Sequence, residues 1–134
     1  MTALANDGHV GMLRNVTGDI TVTRDVGTLD GGSGMKLFVS DRLVSGDAAS
    51  ATIVFKDATT LTVGPSADVE VKNYVFEPKR DKFDFLLHIA RGAAVYTSGL
   101  MGKLSPEAVK VSTPTTTIGI RGTRFIVDAG AGQP

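Results

Sequence analysis

The stretch Val111-Ser112-Thr113-Pro114-Thr115-Thr116-Thr117-Ile118-Gly119-Ile120-Arg121-Gly122-Thr123-Arg124-Phe125-Ile126-Val127 decides how this chain reads. It holds two short apolar runs, with a Thr-Pro break before the first and a tight Arg-Gly-Thr turn between them. Ile118 and Ile120 share one parity, as do Phe125 and Val127. A period of two is that of a pleated strand with one face buried. No set of catalytic residue types lies within the stretch.

The same period recurs upstream. Ile20 and Val22 alternate with Thr21 and Thr23, and Val69, Val71 and Val75 alternate with Glu70, Lys72 and Tyr74. Phe83, Phe85, Leu87 and Ile89 alternate with Asp84 and His88, while Leu86 makes the second face partly apolar. Glycines punctuate these runs, among them Gly18, Gly27, Gly46, Gly64, Gly92 and Gly102. Short β-branched and aromatic segments every 8 to 12 residues or so, parted by turn residues, indicate an all-β fold. The expectation is a single domain of about ten short strands, built as a short β-solenoid-like roll or a β-sandwich. Two stretches compete as helix, Leu37 to Val44 and the turn at Ser105-Pro106-Glu107-Ala108, where Ser105 would be the N-cap. Both are read here as loop or short strand. The domain is expected to span residues 6–128, with 129–134 leaving it as a flexible tail.

A chain of 134 residues with 42% apolar content suits one packed core. Its 14 basic residues balance 14 acidic ones, which argues against general affinity for nucleic acid or anionic membrane. There is no Cys, so disulfide frameworks and thiolate metal sites are excluded. No apolar run reaches the length of a membrane span. Ala3-Leu4-Ala5 has the A-x-A form of a signal-peptidase site, which would make Asn6 the mature start.

Motifs that would carry chemistry fail on inspection. Asp30-Gly31-Gly32-Ser33-Gly34-Met35-Lys36 invites a phosphate-loop reading, but Met35 parts Gly34 from Lys36 and Leu37 stands where a hydroxyl should meet magnesium. The same residues begin like a calcium-binding nonapeptide, yet Lys36 occupies the place of the ligating Asp. They read as a flexible loop. His9 and His88 lack metal-ligand spacing, and His88 sits at the polar parity of its strand. No nucleophile elbow and no local carboxylate pair is present. Trp is absent, and Tyr74 and Tyr96 lie on separate strands, so a sugar platform is not indicated. Lys79-Arg80-Asp81-Lys82, after Pro78, reads as a solvated hairpin tip, with a small basic contact for an acidic partner as the functional alternative. Arg121 reads as a structural arginine serving turn carbonyls or a nearby Asp, with Gly122 supplying a conformation that Cβ forbids.

Taken in order, these pieces resemble a known family. Thr113-Pro114, then Arg121-Gly122-Thr123, then Phe125 and Val127, are similar to the T-P…Arg-Gly-Thr-x-Phe-x-Val signature of the FecR domain of iron-dicitrate transport regulators. Gly46-Asp47 and the run from Ser50 to Asp57 resemble the family's G-D strand and its x-V-x-F-x-D-G-S turn, with Asp57-Ala58-Thr59 in place of Asp-Gly-Ser. Leu61, Val63, Pro65 and Ser66 match the next step, and Gly92 matches the glycine that ends the long middle strand. The similarity covers roughly Gly11 to Val127.

The resemblance implies a β-roll in the periplasm or at the cell surface, in a family that relays receptor occupancy to a sigma factor. The sigma-binding segment, membrane helix and receptor-facing domain of full regulators have no counterpart in this sequence, which reads as a stand-alone form. The expected function is a non-enzymatic, extracytoplasmic binding or sensing module acting on a protein partner or envelope component, without a cofactor. The matched residues Asp57, Gly92, Thr113, Pro114, Arg121, Gly122, Thr123 and Phe125 are expected to serve structure. Asp30, Ser33, Lys79, Arg80 and Lys82 are the candidate contact residues in exposed loops. The alternative is a structural domain that self-assembles through exposed strand edges into oligomers or fibres.

Overall fold

Period-two segments become two packed sheets in the computed structural model, which describes residues 8–119 and 124–130. Among these residues there are thirteen strands. In chain order they are β1 (Gly11–Thr17), β2 (Ile20–Arg24), β3 (Gly27–Asp30), β4 (Lys36–Leu37), β5 (Arg42–Ser45), β6 (Ser50–Phe55) and β7 (Thr60–Val63). Then come β8 (Asp68–Glu77), β9 (Lys82–Arg91), β10 (Ala93–Thr97), a short helix α1 (Leu100–Leu104), β11 (Val109–Ser112), β12 (Thr117–Gly119) and β13 (Arg124–Asp128). The first sheet is ordered β13-β10-β7-β6-β1-β4 and the second β12-β11-β9-β8-β5-β2-β3.

Of the two forms expected from sequence, the arrangement is the sandwich. All ladders are antiparallel except β9 with β11, whereas the coils of a solenoid stack parallel. The parallel pair has a plain cause. The chain leaves β9, crosses to the first sheet as β10, passes through α1 and returns beside β9 as β11. Gly92 makes the first crossing: its φ is +83°, and a Cβ there would sit 2.7 Å from the Ala67 Cα. Leu37 to Val44 divides into β4, a turn and β5. Pro106–Ala108 forms one 3-10 turn with Pro at its start, but the Ser105 hydroxyl donates to Glu107 instead of capping the turn.

The core fills the gap between the inner faces. Leu13, Ile53, Leu61 and Tyr96 come from the first sheet, and Val22, Val69, Phe85, Leu87, Ile89 and Val111 from the second, all at most 1% exposed. Phe55 of the first sheet stacks on Tyr74 (5.5 Å) and meets Phe85 edge-on (4.8 Å), while Tyr74 and Phe85 lie 4.7 Å apart. Such pairs add about 0.5–1.5 kcal/mol each beyond their buried area.

Tyr74 corrects the sequence reading, which placed it with the polar residues of its strand. The β8–β9 register slips between Val71 and Asn73, so Lys72 is an extra residue in β8. One inserted residue flips every later side chain to the other face. Tyr74 thereby turns inward and Val75 outward. The two isoleucine-containing runs at the C-terminal end also part company. β12 joins the second sheet and β13 the first, so they do not pair with each other. Ala129 N–H donates to the Gly92 carbonyl and Gly92 N–H to that of Gly130, which carries this pairing past residue 128. Ala3, Leu4, Ala5, Asn6, Arg121, Gly122 and Thr123 lie outside the described residues.

Candidate functional site

The densest polar cluster is buried. Asp57, in the turn between β6 and β7, has no solvent exposure. Its Oδ1 accepts from the Thr59 N–H (3.2 Å) and the Tyr74 hydroxyl (3.0 Å). Its Oδ2 accepts from the Thr59 hydroxyl (2.8 Å) and the Met101 N–H (2.9 Å). The Asp57 carbonyl takes the Leu100 N–H at 2.7 Å, and the Asp57 N–H donates to the Tyr74 oxygen at 3.0 Å. Two N–H groups in the first turn of α1 are thus satisfied by one residue far away in sequence, and the negative charge suits that helix end. Gly99 completes the cluster, donating its N–H to the Thr59 hydroxyl at 3.1 Å.

This arrangement explains a departure noted in the sequence. Thr59 supplies the hydroxyl expected of serine, and Ala58 takes the glycine position with φ +72°, a left-handed conformation that is costly for a residue with Cβ. Burial, and after it the charge of Asp57, pushes the ionisation of Tyr74 well above the ordinary tyrosine value. Burial likewise raises that of Tyr96, whose hydroxyl points among Thr59 and Ser98 without a hydrogen bond of ordinary geometry. Both rings are core residues, so neither offers an exposed platform for sugar.

The folded chain therefore keeps both phenols neutral where the unfolded chain ionises them, near pH 10. The stability this confers is complete below that pH and is lost as pH rises above it, by about 1.4 kcal/mol per unit per tyrosine. Phenolate absorbance and circular dichroism titrated together are expected to change in one step. Phenolate appearing before the sheet signal falls would contradict the burial argument.

Other charged residues are also committed to structure. Arg24 bonds both oxygens of Asp41 (3.0 and 3.1 Å) and the Lys36 carbonyl (2.6 Å), with its guanidinium 5.0 Å from the centre of the Phe38 ring. It lines an open hollow of about 240 Å³ with Val26, Val39 and Ser40, but its donors face protein acceptors. Arg42 clasps Asp68 with two nitrogens, which raises the guanidinium pKa. His88 Nδ1 lies 2.7 Å from the Ser112 hydroxyl. Among the described residues no cluster of three or more His, Cys, Asp or Glu could hold a metal ion.

The candidate contact loops fall at opposite ends of the second sheet. Asp30 pairs with Thr21, Thr21 with Val44 and Val44 with Asp68, the first residue of β8. The hairpin tip begins beyond Glu77, at the other end of that strand, about 30 Å away at 3.3 Å per residue. The two loops therefore do not form one surface. The Asp30–Gly34 loop, expected to be flexible, is pinned: Gly31 N–H donates to Ile20 and Gly34 N–H to Leu13, both at 2.7 Å. The Ser33 hydroxyl accepts from the Val16 N–H at 3.2 Å.

At the tip, Pro78–Arg80 forms a 3-10 turn closed by Asp81 in the left-handed region (φ +55°). Lys79, Arg80 and Lys82 are exposed, with Arg80 3.5 Å from Glu77. β8 meets β5 only as far as Glu70, and β9 meets β11 only from Phe85 onward. Among the described residues, Asn73–Glu77 and Lys82–Asp84 consequently pair only with one another, as a two-stranded arm. Phe76 and Phe83 face each other across it with ring centres 6.2 Å apart.

The profile of the FecR protein family matches residues 41–134. The chain belongs to this family. No curated protein and no solved structure matches it. Membership makes the chain, in general terms, a FecR-like regulatory or sensing module. The FecR match begins at Asp41, yet Leu13, Ile20, Val22 and Leu37 of the preceding segment are buried in the same core. Of the FecR signature, Asp57 anchors the buried cluster and Gly92 the crossing between sheets. Thr113 starts the β11–β12 turn, its N–H donating to the Thr116 carbonyl at 2.7 Å with Pro114 between them. Phe125 packs against Tyr96, with ring centres 5.1 Å apart. Sequence reasoning missed the reach of Asp57 to Met101 and Tyr74, because nothing local marks a contact across 44 residues.

Proposed function

We propose that this chain is an extracytoplasmic binding and sensing module, without enzymatic activity, that recognises a protein partner through the β8–β9 arm. The observation carrying the proposal is that the arm extends past both neighbouring strands and ends in an exposed, charged turn. A hairpin tip that pairs with no other strand among the described residues offers side chains to a partner without disturbing the sheets. Asp84 is engaged by the Asn73 amide (2.7 Å) and Glu77 lies beside Arg80, so the outward charges of the tip are Lys79 and Lys82 with exposed Asp81 between them, a net positive charge. The partner surface they fit is acidic. The reading without enzymatic activity is supported by the structural commitment of Asp41, Asp57, Asp68 and His88, whose side chains bond other protein groups. Family membership supports a place in the periplasm or at the cell surface. Among the described residues no helix is long and apolar enough to cross a membrane.

The test is a photocrosslinking amino acid placed at Lys79, with the same group at Thr62 on the outer face of the other sheet as a control, in intact envelope. One discrete adduct from position 79, absent from position 62 and lost when Lys82 is replaced by glutamate, is expected. Equal adducts from both positions, or none from 79, would sink the proposal.

A further inference from the structure

The first sheet ends on β13, which at five residues is the longest edge strand among those described; β3 has four, β12 three and β4 two. An edge strand presents unpaired N–H and C=O groups to solvent, and a long apolar one recruits another strand. Residues of an antiparallel strand alternate in which neighbour they bond. Since the Ala129 N–H bonds Gly92, the alternation assigns Val127 and Phe125 to β10 as well. Arg124, Ile126 and Asp128 are left with their backbone groups turned outward. The side chains of the same three residues are exposed on the outer face, Ile126 at 70%. Phe125 and Val127 point into the core.

The strand reads Arg-Phe-Ile-Val-Asp, and it is self-complementary in charge about its centre. We propose that two copies of this chain pair antiparallel through β13 about a two-fold axis at Ile126, joining their first sheets into one. In that register Arg124 lies opposite Asp128 of the second copy, twice over, and Ile126 lies opposite its own counterpart. The hydrogen-bonded pairs of this register are the residues whose backbone groups face outward, with Phe125 opposite Val127 as a non-hydrogen-bonded pair between them, so the ladder closes without breaking a bond to β10. Axes at Phe125 or Val127 set Arg124 or Asp128 opposite Ile126 and leave the charges unmatched. Axes at Arg124 or Asp128 shorten the overlap and set like charges face to face, which destabilises a cross-strand pair.

Other edges lack this match, since β3 carries only an acidic charge, β4 only a basic one and β12 none. The Gly130 N–H already holds one carboxylate oxygen of Asp128 at 2.8 Å, which keeps the acid at the strand end. An isologous contact uses the same surface on both copies and closes. The product is a dimer and not a fibre.

Mass in solution, measured by light scattering on the full chain over a wide concentration range, tests the proposal. The expected mass rises from 14.0 kDa and levels at twice that value. Arg124→Asp, which sets two acids opposite each other at both ends, should weaken the dimer roughly tenfold or more. Combining it with Asp128→Arg should restore the wild-type affinity, because the pair is merely reversed. Ile126→Lys, on an exposed side chain, provides a second monomeric variant should the charge variants fold poorly. A wild-type mass that stays at 14.0 kDa, or one that climbs past the dimer, overturns the proposal. So does a reversed pair that fails to restore pairing while folding normally.

Discussion

Replacing Asp57 with alanine is expected to cost about 3–5 kcal/mol of folding stability, most of what a small domain possesses. The carboxylate is fully buried and accepts four hydrogen bonds, from two backbone N–H groups and two hydroxyls. Its removal leaves the Met101 and Thr59 N–H groups and the Tyr74 hydroxyl without their acceptor in a space closed to water. Each such orphan costs about 1–3 kcal/mol. Asp57→Asn keeps the shape but turns one acceptor into a donor, so an intermediate loss is expected. Urea unfolding of the three proteins checks the order. An alanine variant within about 1 kcal/mol of wild type would show that the cluster does not hold the turn.

Gly99→Ala is expected to be comparably severe, at about 3 kcal/mol or more, for a different reason. A Cβ at that position would lie 2.2 Å from the Asp57 carbonyl oxygen and 2.3 Å from the Thr59 nitrogen. These are backbone atoms of the turn that holds Asp57, and they cannot move aside like the end of a flexible side chain. Shifting Gly99 instead breaks its own bond to Thr59 and the Leu100 bond to Asp57. Gly32→Ala is the matched control, since nothing lies within 4 Å of its Cβ position. It should change stability by no more than about 0.5 kcal/mol. Equal effects at the two glycines would contradict the packing described.

What the sequence shows and what it hides divides along the range of each interaction. The face of β9 is legible because Phe83, Phe85, Leu87 and Ile89 keep strict alternation, and the structure turns all four inward. The face of β8 is not, because the bulge at Lys72 leaves no mark in residue type. The helix α1 escapes notice for a related reason. It has five residues, includes Gly102 and lacks a side-chain cap of its own; Asp57, distant in the chain, supplies the acceptors.

The turns after Asp30 and at Pro78–Arg80 are legible from their turn residues, although Asp30 ends β3 and Lys82 begins β9. Their separation follows only from the ladder order, which no local pattern encodes. The ion pairs Arg24–Asp41 and Arg42–Asp68 bridge elements 17 and 26 residues apart and are invisible for the same reason.

The account rests on a division of labour, in which the family residues around Asp57 hold the fold together while the β8–β9 arm faces outward. Amide hydrogen exchange read residue by residue tests it most directly. The N–H groups of Asp57, Thr59, Gly99 and Met101 are expected to exchange only through global unfolding, as slowly as the central strand residues Leu61 and Leu87, while Lys79 to Lys82 exchange within local openings. Fast exchange at Thr59 and Met101, with the sheets still protected, would show that the Asp57 cluster opens on its own and is not what holds the two sheets and α1 together.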